Sequence, residues 1–130
     1  VVAGMPTYHW NDVSLAAQAL IVANEMGEAD ALSHAFLEAH WRDDADLADR
    51  PTLERLISGV GLDPAGLLAA ADTDEVRARY EANTQEAIRR SVFGSPTYFV
   101  DGDMFYGQDR LELVERACVQ PFKGTWPPAA

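Results

Sequence analysis

The chain has 130 residues, about the length of one domain, and 21 Asp and Glu against 10 Lys and Arg give a formal net charge of −11. A field of this sign repels nucleic acids and anionic membranes, so we expect neither as a partner. Hydrophobic residues make up 48% of the sequence, the ordinary globular range, and no apolar run reaches the roughly 18 residues of a membrane span.

The first 92 residues predict a helical region behind a short lead-in. Residues 1–10 show no helical period and predict an extended segment, and residues 11–92 predict five helices from apolar residues at helical spacing. Gly27 is a natural stop for the first helix. Local chemistry also predicts three helix starts, namely Pro51 at a first helical position, Asp63 as a cap before a proline, and a capping box of Asp72 with Glu75.

The histidines, one tryptophan and the single cysteine are expected to be structural. His34 and His40 stand six residues apart, on poorly matched faces of a helix, so we expect no metal site there. His9 is expected to be a surface or partly buried loop residue, with ligand binding as the alternative. Trp41 is expected to be buried in the core at the end of a helix, and the alternative is that it lines an aromatic substrate pocket. Cys118 excludes a disulfide or C-x-x-C pair within these residues, fits a reducing compartment, and is expected to be a buried small apolar residue.

Residues 93–120 contain the strand signals of the chain. Pro96 ends the long helical pattern and forces Ser95 to be extended, and the bond between them is of the kind that can be cis. Two strands, 97–100 and 104–106, flank a hairpin turn at Asp101-Gly102. Asp109 with Glu112 has the spacing of a capping box opening a last helix, and residues 121–130 form a proline-rich tail.

The run VFGSPTYFVDG at residues 92–102, followed by YGQDRL at 106–111, resembles the C-terminal part of 2-hydroxychromene-2-carboxylate isomerases. These are relatives of kappa-class glutathione transferases and, more distantly, of DsbA-type disulfide oxidoreductases. The resemblance implies an α/β, thioredoxin-like fold with an α-helical insertion domain, whose N-terminal β-α-β unit is apparently absent from this chain. Because a lone hairpin is marginal in water, we expect that an upstream segment or another chain supplies the missing strands.

The same resemblance implies a glutathione site in the C-terminal part. In the family, the backbone of the residue before the cis-proline pairs with the cysteinyl part of glutathione, which corresponds to Ser95 followed by Pro96. The γ-glutamyl end is bound at the start of the last helix, which corresponds to Gln108 and Asp109. Arg110 either orients Asp109 or forms a surface pair. No position here matches the family's catalytic serine, so the catalytic residue is unknown.

The function implied by the resemblance is a glutathione-dependent isomerase of 2-hydroxychromene-2-carboxylate or a similar aromatic catabolite. The alternatives are a DsbA-type thiol–disulfide oxidoreductase or kappa-class glutathione transferase, and a non-catalytic helical binding module. Relatives are commonly dimers, so we expect a cytoplasmic homodimer, and we expect this chain alone to be inactive. Tyr98 and Tyr106 either line an aromatic pocket or simply pack within the hairpin.

Overall fold

A computed structural model describes residues 4–122. Over these residues the chain forms six α-helices, one β-hairpin and a 3₁₀ turn. The elements are α1 (Ser14–Glu25), α2 (Ala29–Arg42), α3 (Arg50–Gly59), α4 (Pro64–Ala71), α5 (Asp74–Arg89), β1 (Thr97–Val100), β2 (Asp103–Tyr106), the 3₁₀ turn (Gln108–Arg110) and α6 (Leu111–Val119). The chain divides into two compact units, Val1–Glu81 and Ala82–Ala130. The predicted domain boundary at residue 92 stays a prediction.

The first unit has an apolar core of its own, built around α1. This helix packs against α2 and α4, and α3 packs against α4. It contributes mainly alanines, which let neighbouring helices approach closely, while the other helices contribute large side chains. The side chains completely withdrawn from solvent include Leu32, Leu53, Ile57 and Leu68.

Helix starts in this unit follow local capping chemistry. The Asp63 carboxylate accepts hydrogen bonds from the backbone N–H groups of Ala65 and Gly66, both at 3.1 Å, which confirms the predicted start of α4. Asp49 caps α3 in the same way by accepting from the N–H of Thr52 at 2.9 Å. The helix therefore begins one residue earlier than expected, with Pro51 second rather than first.

The capping box predicted for α5 is wrong. The backbone N–H of Val76 donates to Oγ1 of Thr73 at 3.4 Å, so Thr73 is the capping residue instead of Asp72. Asp72 follows the last residue of α4 as its C-cap, and its carboxylate pairs with the Arg77 guanidinium at 2.6 Å. A threonine directly before the helix is closer to the free N–H groups than an aspartate one residue further away.

The lead-in is not extended where the structure describes it. Residues 7–10 form turns, in which the His9 N–H donates to the Pro6 carbonyl at 3.3 Å. Thr7 binds the acidic loop after α2, because both its N–H and its hydroxyl donate to the Asp44 carboxylate, at 2.6 and 2.7 Å. These bonds hold the pKa of the Asp44 carboxyl below its usual value. The lead-in thus forms hydrogen-bonded turns, and Thr7 ties it to Asp44.

The second unit is organised around the predicted hairpin. The two strands pair antiparallel from Thr97 opposite Tyr106 to Val100 opposite Asp103. Asp101 and Gly102 both have positive φ angles, 49° and 88°, as the predicted tight turn requires. The helix α6 packs against β1. Hairpin and turn are thus confirmed, with β2 one residue longer than predicted.

Candidate functional site

The loop between α5 and β1 places the backbone of Ser95 at the surface. The Ser95–Pro96 peptide bond is cis, the geometry that the sequence allowed. The Thr97 hydroxyl donates to the Gly94 carbonyl at 2.6 Å across this turn. Ser95 is exposed, and among the described residues neither its N–H nor its carbonyl makes a hydrogen bond. The loop therefore presents, two residues before β1, a pair of backbone groups with no hydrogen-bond partner among the described residues.

A single hydrogen bond joins this loop to the segment after β2. The N–H of Gly107 donates to the carbonyl of Pro96 at 2.9 Å. Gly107 is buried and has φ 105° and ψ 148°, a conformation that residues with a side chain rarely adopt. The two predicted halves of the site, Ser95–Pro96 and Gln108–Asp109, are thereby brought together.

The carboxylate of Asp109 folds back over Gly107. A Cβ atom added to Gly107 would lie 2.5 Å from Oδ1 of Asp109, so the missing side chain is what gives the carboxylate its space. The other oxygen, Oδ2, pairs with Nη1 of Arg110 at 3.2 Å, a contact between two exposed side chains that fits both predicted roles of Arg110. The Asp109 side chain is still 64% exposed and open to a cationic ligand group.

The predicted capping box at Asp109 is wrong. Gln108–Arg110 forms a 3₁₀ turn, and α6 begins only at Leu111, without a side-chain capping bond. Gly107 has a positive φ and directly precedes this 3₁₀ turn, and α6 follows the turn. The Asp109 carboxylate therefore lies near Gly107 and Arg110 and accepts no capping hydrogen bond from the N–H groups of α6.

The prediction that Cys118 is buried is wrong, because its side chain on α6 is exposed. α6 buries its neighbour Ala117, and consecutive side chains on a helix point about 100° apart. The two tyrosines of the hairpin also differ, because Tyr106 is exposed while Tyr98 is half-buried. Sequence periodicity alone did not predict which residue of each pair, Ala117 or Cys118 and Tyr98 or Tyr106, is the more buried.

A cluster of aromatic rings in the first unit escaped sequence reasoning. Nδ1 of His9 lies 3.1 Å from Nε2 of His40, and the Trp41 ring centroid lies 5.3 Å from that of His9. His40 is buried, but Trp41 is 38% exposed, so the prediction of a core anchor is wrong. The two histidines are 31 residues apart, and no local pattern links them. Within residues 4–122, no three His, Cys, Asp or Glu side chains are grouped so that they could hold a metal ion.

Comparison with known proteins assigns the family. The family model described as DSBA-like thioredoxin domain matches residues 2–119. The chain therefore belongs to the DsbA-like thioredoxin family, and the thioredoxin-like fold expected from the sequence is confirmed. Among the described residues, no helix combines the length and the apolar character needed to cross a membrane.

Within that family, the chain is similar to 2-hydroxychromene-2-carboxylate isomerases, as its motifs indicated. It is 31% identical over 97 residues to the enzyme of Sphingobium xenophagum, which covers 75% of this chain and 50% of that protein. It is 32% identical over 99 residues to that of Pseudomonas sp. (strain C18), covering 75% and 46%. The chain thus spans about half the length of these curated relatives.

A solved structure of a 2-hydroxychromene-2-carboxylate isomerase has the same fold. It superimposes with a TM-score of 0.75 at 22% identity, covering 89% of this chain and 56% of the other. At this identity the match concerns the fold alone.

Proposed function

We propose that this chain carries part of the active site of a glutathione-dependent isomerase acting on 2-hydroxychromene-2-carboxylate or a similar aromatic catabolite. The observation that supports it most is the hydrogen bond from Gly107 to Pro96, because it brings an open backbone edge next to an exposed carboxylate. The names of the curated relatives favour the same reaction.

The local chemistry fits a short acidic peptide such as glutathione. The N–H and C=O of Ser95, which make no hydrogen bond within residues 4–122, suit strand-like pairing with an extended peptide. The exposed carboxylate of Asp109 suits an α-amino group, and the exposed Gln108 amide offers donors for an α-carboxylate. The space above Gly107, which a Cβ atom would fill, leaves room for the Asp109 carboxylate in this position.

When bound, glutathione supplies a thiolate that adds reversibly to the conjugated double bond of an aromatic keto acid, which allows rotation before the thiolate leaves. The residues described above bind and orient the peptide part of this cofactor. We assign to none of them the lowering of the thiol pKa, because no residue among these 130 matches the serine that the resemblance implies as catalytic.

The proposal is tested by titration calorimetry of the chain with reduced glutathione, using Asp109→Ala and a control, Asp30→Ala. Asp30 is also exposed but lies in the first turn of α2, in the other unit. A lost charge-assisted hydrogen bond costs about 1.5–3 kcal/mol, so Asp109→Ala should weaken binding by roughly 10- to 100-fold. We expect Asp30→Ala to bind like the unchanged chain. Absent binding, or equal binding by both variants, would contradict the proposal.

The homodimer, the cytoplasmic setting and the inactivity of the isolated chain stay predictions. Sedimentation analysis checks the homodimer. Turnover of 2-hydroxychromene-2-carboxylate by this chain with glutathione would show that the predicted inactivity is wrong. Disulfide exchange activity without glutathione binding would favour the DsbA-type alternative, and the absence of both would favour a helical binding module.

A further inference from the structure

We propose that Phe93 and Tyr106 form an aromatic surface that holds the planar ring of the aromatic substrate beside the Ser95–Pro96 turn. This inference rests on the proposed function and deepens it, because it assigns residues of this chain to the aromatic part of the substrate.

The two rings form a pair that is open to solvent. Their centroids are 4.7 Å apart and their planes are inclined by 54°, a tilted arrangement typical of favourable aromatic pairs. Phe93 is 69% exposed and Tyr106 is 46% exposed. Large aromatic side chains that pack on one another and still face solvent present a surface onto which a third ring can stack.

The backbone holds this pair at the candidate site. Tyr106 is the last residue of β2, stands opposite Thr97, and directly precedes Gly107. Its ring lies against Gly94, because a Cβ atom there would be 2.5 Å from Cε2 and 3.0 Å from the hydroxyl oxygen. Because Gly94 has no side chain, the Tyr106 ring can lie against it, next in the sequence to Ser95.

Two neighbouring aromatic residues of the hairpin, Phe99 and Phe105, already contact other side chains. Strand residues alternate between the two faces, and register places Tyr106 and Met104 opposite Thr97 and Phe99. On that face, the Arg90 guanidinium covers Phe99 at 4.7 Å from the ring centroid. On the other face, Phe105 meets Phe122 at 5.9 Å between ring centroids. Among the described aromatic residues of this segment, Phe93 and Tyr106 are the exposed ones, whereas Tyr98 is half-buried.

The test compares two glutathione derivatives by calorimetry, S-benzylglutathione and S-methylglutathione, which share the peptide and differ in the ring. The ratio of their affinities measures the contribution of the aromatic contact. An aromatic contact of usual strength corresponds to a roughly 2- to 10-fold change, so Phe93→Ala and Tyr106→Ala should each lower the ratio by about this factor. Tyr106→Phe keeps the ring and should keep the ratio, as should Trp10→Ala, which removes an exposed ring of the other unit.

The methyl derivative also reports whether each variant is folded and binds the peptide. If both derivatives bind and the alanine variants leave the ratio unchanged, the inference is wrong and the proposed function stands. If neither derivative binds the unchanged chain, the proposed function and this inference are both overturned. A ratio that falls in the two alanine variants but not in Tyr106→Phe or Trp10→Ala supports the aromatic surface.

Discussion

Replacing Gly107 by alanine tests how the backbone supports the candidate site. The residue has φ 105° and ψ 148°, and its N–H holds the carbonyl of Pro96. A residue with a side chain in this region of backbone space costs about 1–3 kcal/mol. The added Cβ would also lie 2.5 Å from Oδ1 of Asp109, so the carboxylate must rotate away. We expect Gly107→Ala to lower the free energy of unfolding by about 1–3 kcal/mol.

The measurement is urea unfolding followed by circular dichroism, with Gly59→Ala as the matched control. Gly59 ends α3, has no positive φ, and a Cβ there meets nothing within 4 Å. The control should therefore be neutral or slightly stabilising, by less than about 1 kcal/mol. If Gly107→Ala were as stable as Gly59→Ala, the reasoning from the backbone conformation would be refuted.

A double-mutant cycle separates strain from the collision with the carboxylate. In an Asp109→Ala background, Gly107→Ala keeps the backbone cost and loses the collision. The difference between the two backgrounds should be small, within about 1 kcal/mol, because Asp109 is exposed and can rotate. Glutathione affinity should respond more strongly than stability, since Gly107→Ala displaces the carboxylate that the proposal assigns to binding. Unchanged affinity in that variant would contradict the role of Asp109.

Two further predictions concern the first unit. Leu68 is completely buried, so Leu68→Ala should lower the free energy of unfolding by about 2–5 kcal/mol, whereas Leu37→Ala, at a 58% exposed position, should change it by less than about 1 kcal/mol; urea unfolding checks both. The pKa of Asp44 is lowered by its bonds from Thr7, so the stabilisation they provide is present above the ordinary value of 3.8 and is lost as the pH falls through the lower folded value. The Thr7 amide resonance should titrate in that acidic range and become insensitive to acid in Asp44→Asn; a resonance constant with pH in the unchanged chain would contradict the bond.

Sequence reasoning succeeded where the determinants are local. A proline after Ser95, the Asp101-Gly102 turn and the Asp63 cap each act within two or three residues, and all three appear in the structure. The start of α6 was wrong because Gly107 imposes its own backbone direction before the capping pattern can act. The identity of the site halves came from motifs, but the bond that joins them involves residues 11 positions apart.

Long-range contacts and exposure of neighbours were beyond the sequence. The His9–His40 pair links the lead-in to α2 with no pattern to announce it. Cys118 and Ala117 have similar size and polarity, and only packing decides which of them α6 buries. Periodicity gives the stripe of a helix but not the residue at its edge.

The hydrogen bond between Gly107 and Pro96 also makes the site observable by a single probe. A buried amide proton exchanges with solvent only when its bond opens, so the exchange rate of the Gly107 amide reports how often the two halves of the site come apart. A ligand that bridges both halves must slow this exchange, and one that binds a single half has no reason to. One resonance in a hydrogen-exchange spectrum thus distinguishes a bridging ligand from a partial one before any affinity is known.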